Sequence, residues 1–173
     1  MGFEKLPDGG VHVEDVKLAL RGHVRDGYQF KAGDYMEPRD PSYEPSPSLN
    51  DRVHVLVSVI PADSVSLLSK EVLKKMREVR LAARDMGIPQ VAILTKVDKA
   101  CPKAKQNIVN VYKSKYLKKR VDLFNELLGL PLNCIFLVRN YETENKTQAG
   151  FDALILCALR HMIDYGEDYL INL

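Results

Sequence analysis

Three absences limit what this sequence can be: it has few cysteines, no long apolar run and no marked excess of charge of either sign. The three cysteines, Cys101, Cys134 and Cys157, are odd in number and form no C-x-x-C pair, so neither a disulfide framework nor a zinc site is indicated. The longest apolar run, around residues 153–159, is far shorter than the ~20 residues of a membrane span. With 25 basic and 23 acidic residues, the composition gives no reason to expect a nucleic-acid or membrane partner. We expect a chain in the reducing cytoplasm with no bound metal.

The sequence also lacks the glycine-rich loop G-x-x-x-x-G-K-S/T, whose backbone amides hold the phosphates of nucleoside triphosphates. Gly9 and Gly10 follow no predicted strand and precede no Lys-Ser or Lys-Thr pair, so they indicate a turn. The glycine-rich first turn of a flavodoxin-like or Rossmann-like domain is absent as well. Because phosphoryl transfer depends on the phosphate loop, Mg²⁺ and switch residues, we expect no catalytic residue and no hydrolysis of triphosphates by this chain.

Three segments rich in valine, isoleucine and leucine predict buried parallel strands at residues 53–60, 91–95 and 133–138. Apolar residues at intervals of three and four predict one helix before these strands and one after each of them. The predicted helices are, in chain order, residues 13–20 ending at Gly22, residues 65–86 capped by Asp63 or Ser64, residues 117–128 ending at Gly129, and residues 151–162. The alternation favours an α/β fold with a mainly parallel sheet and right-handed crossovers, and one domain over residues 1–173.

The segment Thr95-Lys96-Val97-Asp98, at the end of the second predicted strand, has the chemistry of a ligand site. Open α/β sheets bind ligands outside the carboxyl ends of their strands, where guanine-nucleotide-binding proteins carry a Lys-x-Asp motif for the base. In that interpretation Asp98 accepts two hydrogen bonds from the guanine edge, and the stem of Lys96 lies along the flat face of the base. A plain transition from a strand to a solvated loop is the alternative.

The third predicted strand ends in Arg139, Asn140 and Tyr141, which would lie in the same crevice as Asp98. In nucleotide-binding proteins of this α/β class, the loop after the third strand usually contributes backbone groups that contact the base. These residues are therefore expected to lie next to a bound purine. The predicted guanine-binding residues are therefore Thr95, Lys96, Asp98, Arg139, Asn140 and Tyr141.

Two other segments are candidate surfaces for protein partners. Residues 37–51 hold four prolines among serines and charged residues, which predicts a surface loop. Residues 113–120 hold five basic residues in eight, a run that more often marks a solvated helix face than a nucleic-acid or lipid site.

Four segments carry a family resemblance: LRGHVRDGYQF, RVHVLVSVIPADS, TKVDKACP and FLVRNYETE. Together they resemble the C-terminal half of the G domain of the interferon-induced protein 44 and 44-like family, over nearly the whole chain. The resemblance implies a three-layer, P-loop GTPase type of sheet whose phosphate-binding half is missing here. It also implies an interferon-stimulated cytoplasmic protein of antiviral defence. Gly2 matches the end of the family's Asp-x-Met-Gly pattern, and Thr95 stands where many GTPases carry Asn.

The resemblance sets expectations for ligands and partners. The whole protein is expected to bind GTP or GDP with Mg²⁺, whereas this chain should bind guanine nucleotide weakly, since it has no phosphate loop. The alternative is a nucleotide-independent pseudo-GTPase that acts as a protein-interaction module, with partners that the sequence does not identify. If strands outside this chain normally pair with residues 53–60, the exposed edge should make the isolated chain self-associate.

Overall fold

A computed structural model describes residues 2–3 and 9–173. The helices and strands follow in this order: α1 (Val13–Arg21), β1 (Leu56–Pro61), α2 (Lys70–Asp85), β2 (Gln90–Thr95), α3 (Val97–Ala100), α4 (Pro102–Gln106), α5 (Lys115–Leu128), β3 (Ile135–Leu137) and α6 (Ala149–Ile171). Short 3-10 helices lie at Leu49–Asp51, Val65–Leu67, Ile108–Lys113 and Leu132–Cys134. The chain divides into two compact units: unit 1 comprises residues 1–56 and 69–89, and unit 2 comprises residues 57–68 and 90–173. One domain over residues 1–173 stays a prediction.

Unit 2 contains an open parallel sheet in the strand order β1-β2-β3. Strands β2 and β3 are in register with Ala92 opposite Ile135 and Leu94 opposite Leu137, and the backbone N–H of Val138 donates to the carbonyl of Leu94 at 2.9 Å. Val91, Ala92 and Leu94 are fully buried, and all three residues of β3 are buried, as expected for the interior of an α/β sheet. The predicted α/β class and parallel sheet are confirmed.

The predicted bounds of two strands and one helix are wrong by several residues. The first strand begins at Leu56. The third strand contains only Ile135–Leu137, because residues 132–134 before it form a 3-10 turn. The second helix begins at Lys70, not after Asp63 or Ser64, and residues 65–67 form a 3-10 turn. Its N-cap is Ser69, whose hydroxyl accepts the backbone N–H of Val72 at 3.3 Å.

The predicted helix ends at glycine are confirmed. Gly22 ends α1 and Gly129 ends α5, both with left-handed backbone at φ +87° and φ +69°. The last helix is longer than predicted: α6 continues to Ile171, so most of the C-terminal tail is helical.

In unit 1, the side chain of Asp15 on α1 fixes the later segment of residues 28–36 by hydrogen bonds. Its carboxylate is fully buried and accepts the backbone N–H of Met36 at 2.7 Å and the hydroxyl of Tyr28 at 3.3 Å. Farther along, Val24 forms an antiparallel bridge with Tyr43, on the Pro-rich segment 37–51. That segment is mostly exposed, but it is fixed to the chain before it.

The contact between Tyr28 and Asp15 predicts a pH dependence of stability. Burial and the neighbouring Asp15 carboxylate raise the pKa of Tyr28 to about 12, from an ordinary value of 10.0. Between pH 10 and pH 12 the unfolded chain therefore binds fewer protons at this group than the folded chain, so stability falls as the pH rises and is unaffected below pH 10. Tyr28→Phe should remove the part of the alkaline decrease that comes from this group. Urea unfolding of both proteins across this range measures it, and parallel pH profiles would contradict it.

Candidate functional site

The predicted base-recognition segment is not an open loop. Strand β2 ends at Thr95, whose carbonyl accepts the backbone N–H of Ala62 at 2.8 Å. Lys96 then adopts φ 55° and ψ 37°, the only left-handed backbone of a non-glycine residue in the described part of the chain. Its carbonyl accepts the N–H groups of Lys99 and Ala100 at 3.0 and 3.1 Å, so the helical turn α3 begins at once. A non-glycine residue held in this conformation costs ~1 kcal/mol or more, and such strain occurs most often at functional sites.

Asp98 lies on α3 beside Arg139, which follows β3. Arg139 Nε is 3.8 Å from Asp98 Oδ2, and the side chains are 19% and 13% exposed. The same guanidinium is bound more closely elsewhere: Arg139 Nη2 is 2.6 Å from Glu144 Oε1, and Cζ is 4.1 Å from the centre of the Phe151 ring. Arg139 is thus fixed mainly by Glu144 and Phe151, and its ion pair with Asp98 is long.

The loop after β3 is held by Glu144. Its carboxylate accepts the backbone N–H of Glu142 at 2.9 Å and that of Thr143 at 3.2 Å. These backbone N–H groups and the nearby Arg139 guanidinium lower the pKa of Glu144. In the same loop Glu142 pairs with Lys99 at 2.9 Å, which connects the loop to α3 and lowers the pKa of Glu142. The loop is therefore held by backbone hydrogen bonds to Glu144 and by the ion pair between Glu142 and Lys99 of α3.

Tyr141 is directed at the first turn of α6. Its hydroxyl is 2.6 Å from Asp152 Oδ1 and accepts the backbone N–H of Gln148 at 2.6 Å, and its ring lies 5.4 Å from Phe151. The hydrogen bond to Asp152 raises the pKa of Tyr141. Asn140, by contrast, is exposed.

Among the predicted site residues, the fold brings together Asp98 and Arg139, with Lys96 exposed two residues before Asp98. Gly2 lies in unit 1, where its carbonyl accepts the backbone N–H of Val11 at 3.1 Å. Sequence reasoning missed both partners of Arg139: Glu144 lies in a segment without helical or strand periodicity, and the periodicity at Phe151 predicts only an apolar helix face. A carboxylate and an aromatic ring close after the loop would have been the available signal.

Within residues 2–3 and 9–173, no group of three His, Cys, Asp or Glu side chains is arranged to hold a metal ion. Over the same residues, no helix has the length and apolar character that crossing a membrane requires. The three cysteines are unpaired thiols, with Cys101 buried against Ser114 at 3.3 Å.

Comparison with curated proteins finds relatives along the whole chain. Human Interferon-induced protein 44-like is 32% identical over 173 residues, which are 100% of this chain and 38% of that protein. Interferon-induced protein 44 of Pan troglodytes and of Mus musculus are each 31% identical over 166 residues, or 96% of this chain, and 37% and 39% of those proteins. The chain thus spans less than two-fifths of the length of these relatives. No family model matches the chain, and no solved structure matches it significantly. Because these matches cover nearly every residue, the chain belongs to the interferon-induced protein 44 and 44-like family.

Proposed function

We propose that this chain recognises the base of a guanine nucleotide, as part of a longer interferon-induced protein of the immune response. The observation that supports the proposal is the side-by-side arrangement of Asp98 and Arg139 beyond the carboxyl ends of the neighbouring parallel strands β2 and β3. Guanine presents two N–H donors next to its O6 acceptor. The Asp98 carboxylate accepts from the two donors, and the Arg139 guanidinium donates to O6 and N7.

The arrangement of Arg139 makes this complementarity available without a large rearrangement. Glu144 and Phe151 hold the guanidinium, so it stays in place when Asp98 turns to a base. At 3.8 Å the ion pair between Asp98 and Arg139 is long, and a base edge replaces it with shorter charge-assisted hydrogen bonds. Lys96, exposed at the strained turn before Asp98, covers the face of the base with its stem.

The proposal limits what this chain does with a nucleotide. These 173 residues carry no phosphate loop, so the contacts that give nucleotide-binding proteins most of their affinity and all of their phosphoryl-transfer chemistry are absent. We expect weak binding that depends on the base and no hydrolysis. Binding of GTP or GDP with Mg²⁺, a cytoplasmic location and a role in antiviral defence are proposals for the whole protein.

Isothermal titration calorimetry with GDP and ADP tests base recognition. GDP should bind more tightly than ADP, and Asp98→Ala should weaken GDP binding about 10- to 100-fold, the worth of charge-assisted hydrogen bonds. Glu142→Ala is the matched control, because it removes a carboxylate of the neighbouring loop that pairs only with Lys99 among the described contacts of its side chain. Equal binding of GDP and ADP, or unchanged affinity in Asp98→Ala, would show that the proposal is wrong.

The second candidate function is a nucleotide-independent interaction module, favoured by one observation. Several polar groups of the candidate site already have protein partners: Asp98 pairs with Arg139, and the Tyr141 hydroxyl is bound to Asp152 and Gln148. The Pro-rich segment 37–51 and the basic run 113–120 are the candidate surfaces. Absence of any heat with GDP or ADP, in a protein that is folded, supports this candidate.

A further inference from the structure

Residues 99–120 concentrate positive charge on one part of unit 2. They include eight basic residues and no acidic one, whereas the rest of the chain holds 17 basic and 23 acidic residues, a net charge of −6. The near-neutral total therefore conceals a very uneven distribution of charge, which is typical of proteins that bind anionic surfaces. In the structure this segment comprises α3, α4, the 3-10 helix Ile108–Lys113 and the start of α5, each in contact with the next.

Six exposed lysines of this segment form what we name the basic surface: Lys103, Lys105, Lys113, Lys115, Lys118 and Lys119. Within residues 2–3 and 9–173 none of the six forms an ion pair, whereas Lys99 is paired with Glu142. Acidic side chains return only at Asp122, which pairs with none of them either. Lys115 and Lys119 are four residues apart on α5, where like charges lower the stability of a helix. Ion pairing within the fold therefore does not account for these lysines.

Exposed apolar side chains lie among the lysines. Val109 is 64%, Tyr112 66% and Leu132 53% exposed. Tyr112, Leu132 and Lys118 border one open cavity of about 190 Å³, so apolar and basic groups share one side of the unit, and Val109 lies on the same 3-10 helix as Tyr112. Lysines around exposed aliphatic and aromatic side chains are the combination that binds the interface of an anionic bilayer.

We propose that the basic surface binds the face of a membrane that contains anionic phospholipids. The lysines contact the headgroups, and Val109, Tyr112 and Leu132 reach the boundary between headgroups and acyl chains. Each lysine near such a surface adds to the attraction, so six unpaired lysines and three apolar side chains together hold the chain without a membrane-spanning helix. This binding does not involve Asp98 or Arg139 and is independent of base recognition.

The composition of the basic surface favours a bilayer over a nucleic acid. All six of its cations are lysines, which lack the planar fork that arginine offers to phosphates and bases. The one arginine of the segment, Arg120, is bound to Tyr116: Nη2 is 2.7 Å from the hydroxyl, and Cζ is 4.7 Å from the centre of the ring. That ring face is therefore covered by the guanidinium and not open for a stacked base. A nucleic acid also offers no apolar layer to the aliphatic side chains of Val109 and Leu132.

Co-sedimentation of the 173-residue chain with phosphatidylcholine vesicles, with and without about one third phosphatidylserine, is the first test. We expect binding only to the anionic vesicles, and Lys115→Glu/Lys119→Glu should weaken it at least about tenfold. Lys70→Glu/Lys74→Glu is the matched control, because it changes the net charge equally, at the same positions relative to the start of another helix, α2. The control should bind like the wild type, and circular dichroism checks that both variants are folded. Equal binding to the two kinds of vesicle, or equal loss in the two variants, would overturn the proposal.

A second test separates the apolar contact from the charge and the bilayer from a nucleic acid. Val109→Ser should weaken binding to the anionic vesicles about two- to fivefold, whereas Val59→Ser, at a valine 60% exposed on the opposite edge strand β1, should not. Equal binding of these variants would exclude insertion of Val109. Oligouridylate, added at a phosphate concentration equal to that of phosphatidylserine, should leave most of the chain on the vesicles. Release of the chain by oligouridylate would mean that the basic surface binds nucleic acid and that the proposal is wrong.

Discussion

Replacing Gly22 with alanine is expected to lower the free energy of unfolding by about 2–5 kcal/mol. Two independent penalties add. At φ +87° an L-amino acid is strained by about 1–2 kcal/mol, and a Cβ here would lie 2.9 Å from the backbone carbonyl of Asp51 and 2.9 Å from Pro47 Cβ. Relief of that overlap requires movement of backbone, which costs a further 1–3 kcal/mol or so. Urea unfolding of the purified variant measures the sum.

Gly27 is the matched control for this substitution. It has nearly the same backbone angle, φ +82°, yet an added Cβ would have no heavy atom within 4 Å. Gly27→Ala should therefore show the conformational strain alone, about 1–2 kcal/mol. The difference between the two variants isolates the packing of residues 47–51 against the end of α1. If the two variants were equally stable, that close approach would not exist in solution.

The features that the sequence predicts well are those set by neighbouring residues. Glycine alone enters the left-handed region cheaply, so Gly22 and Gly129 mark the ends of α1 and α5 directly. The start of α2 was less predictable, since Val65 and Leu68 continue the spacing of the apolar residues that follow. Periodicity therefore does not separate the 3-10 turn at Val65–Leu67 from the helix that Ser69 caps.

The candidate site was predictable in position but not in its internal contacts. The end of a buried strand fixes where Thr95 to Asp98 lie, and the next parallel strand brings Arg139 to the same edge. The contact of Glu144 with Arg139 depends on the path of an irregular loop, which no repeating pattern encodes. The periodicity of the last helix predicts that Phe151 is buried, but not that it lies against Arg139. Likewise, the acidic residues Glu14 and Asp15 in the first turn of α1 predict only a favourable helix terminus. In the structure the Asp15 carboxylate is buried and accepts hydrogen bonds from the Tyr28 hydroxyl and the Met36 N–H.

The burial of Asp15 carries the second large prediction: Asp15→Ala should lower the free energy of unfolding by about 2–4 kcal/mol. The carboxylate is fully buried, and Met36, whose N–H it accepts at 2.7 Å, is 3% exposed. Alanine leaves that N–H without its partner in the interior, at a cost of roughly 1–3 kcal/mol, and also removes the hydrogen bond from Tyr28. Thermal and urea unfolding measure the loss.

Two further variants separate the hydrogen bonds from the loss of an acidic side chain. Asp15→Asn keeps an oxygen for the Met36 N–H and nearly the same volume, so it should retain most of the stability that alanine loses. Asp26→Ala, at an exposed position of the following turn, should change stability by no more than about 0.5 kcal/mol. Because Asp15 connects α1 to residues 28–36, Asp15→Ala should also raise amide hydrogen exchange in that segment, whereas Asp26→Ala should not. If amide hydrogen exchange in residues 28–36 were equal in Asp15→Ala and Asp26→Ala, other contacts would hold this segment and the hydrogen bonds of Asp15 would not be needed to order it.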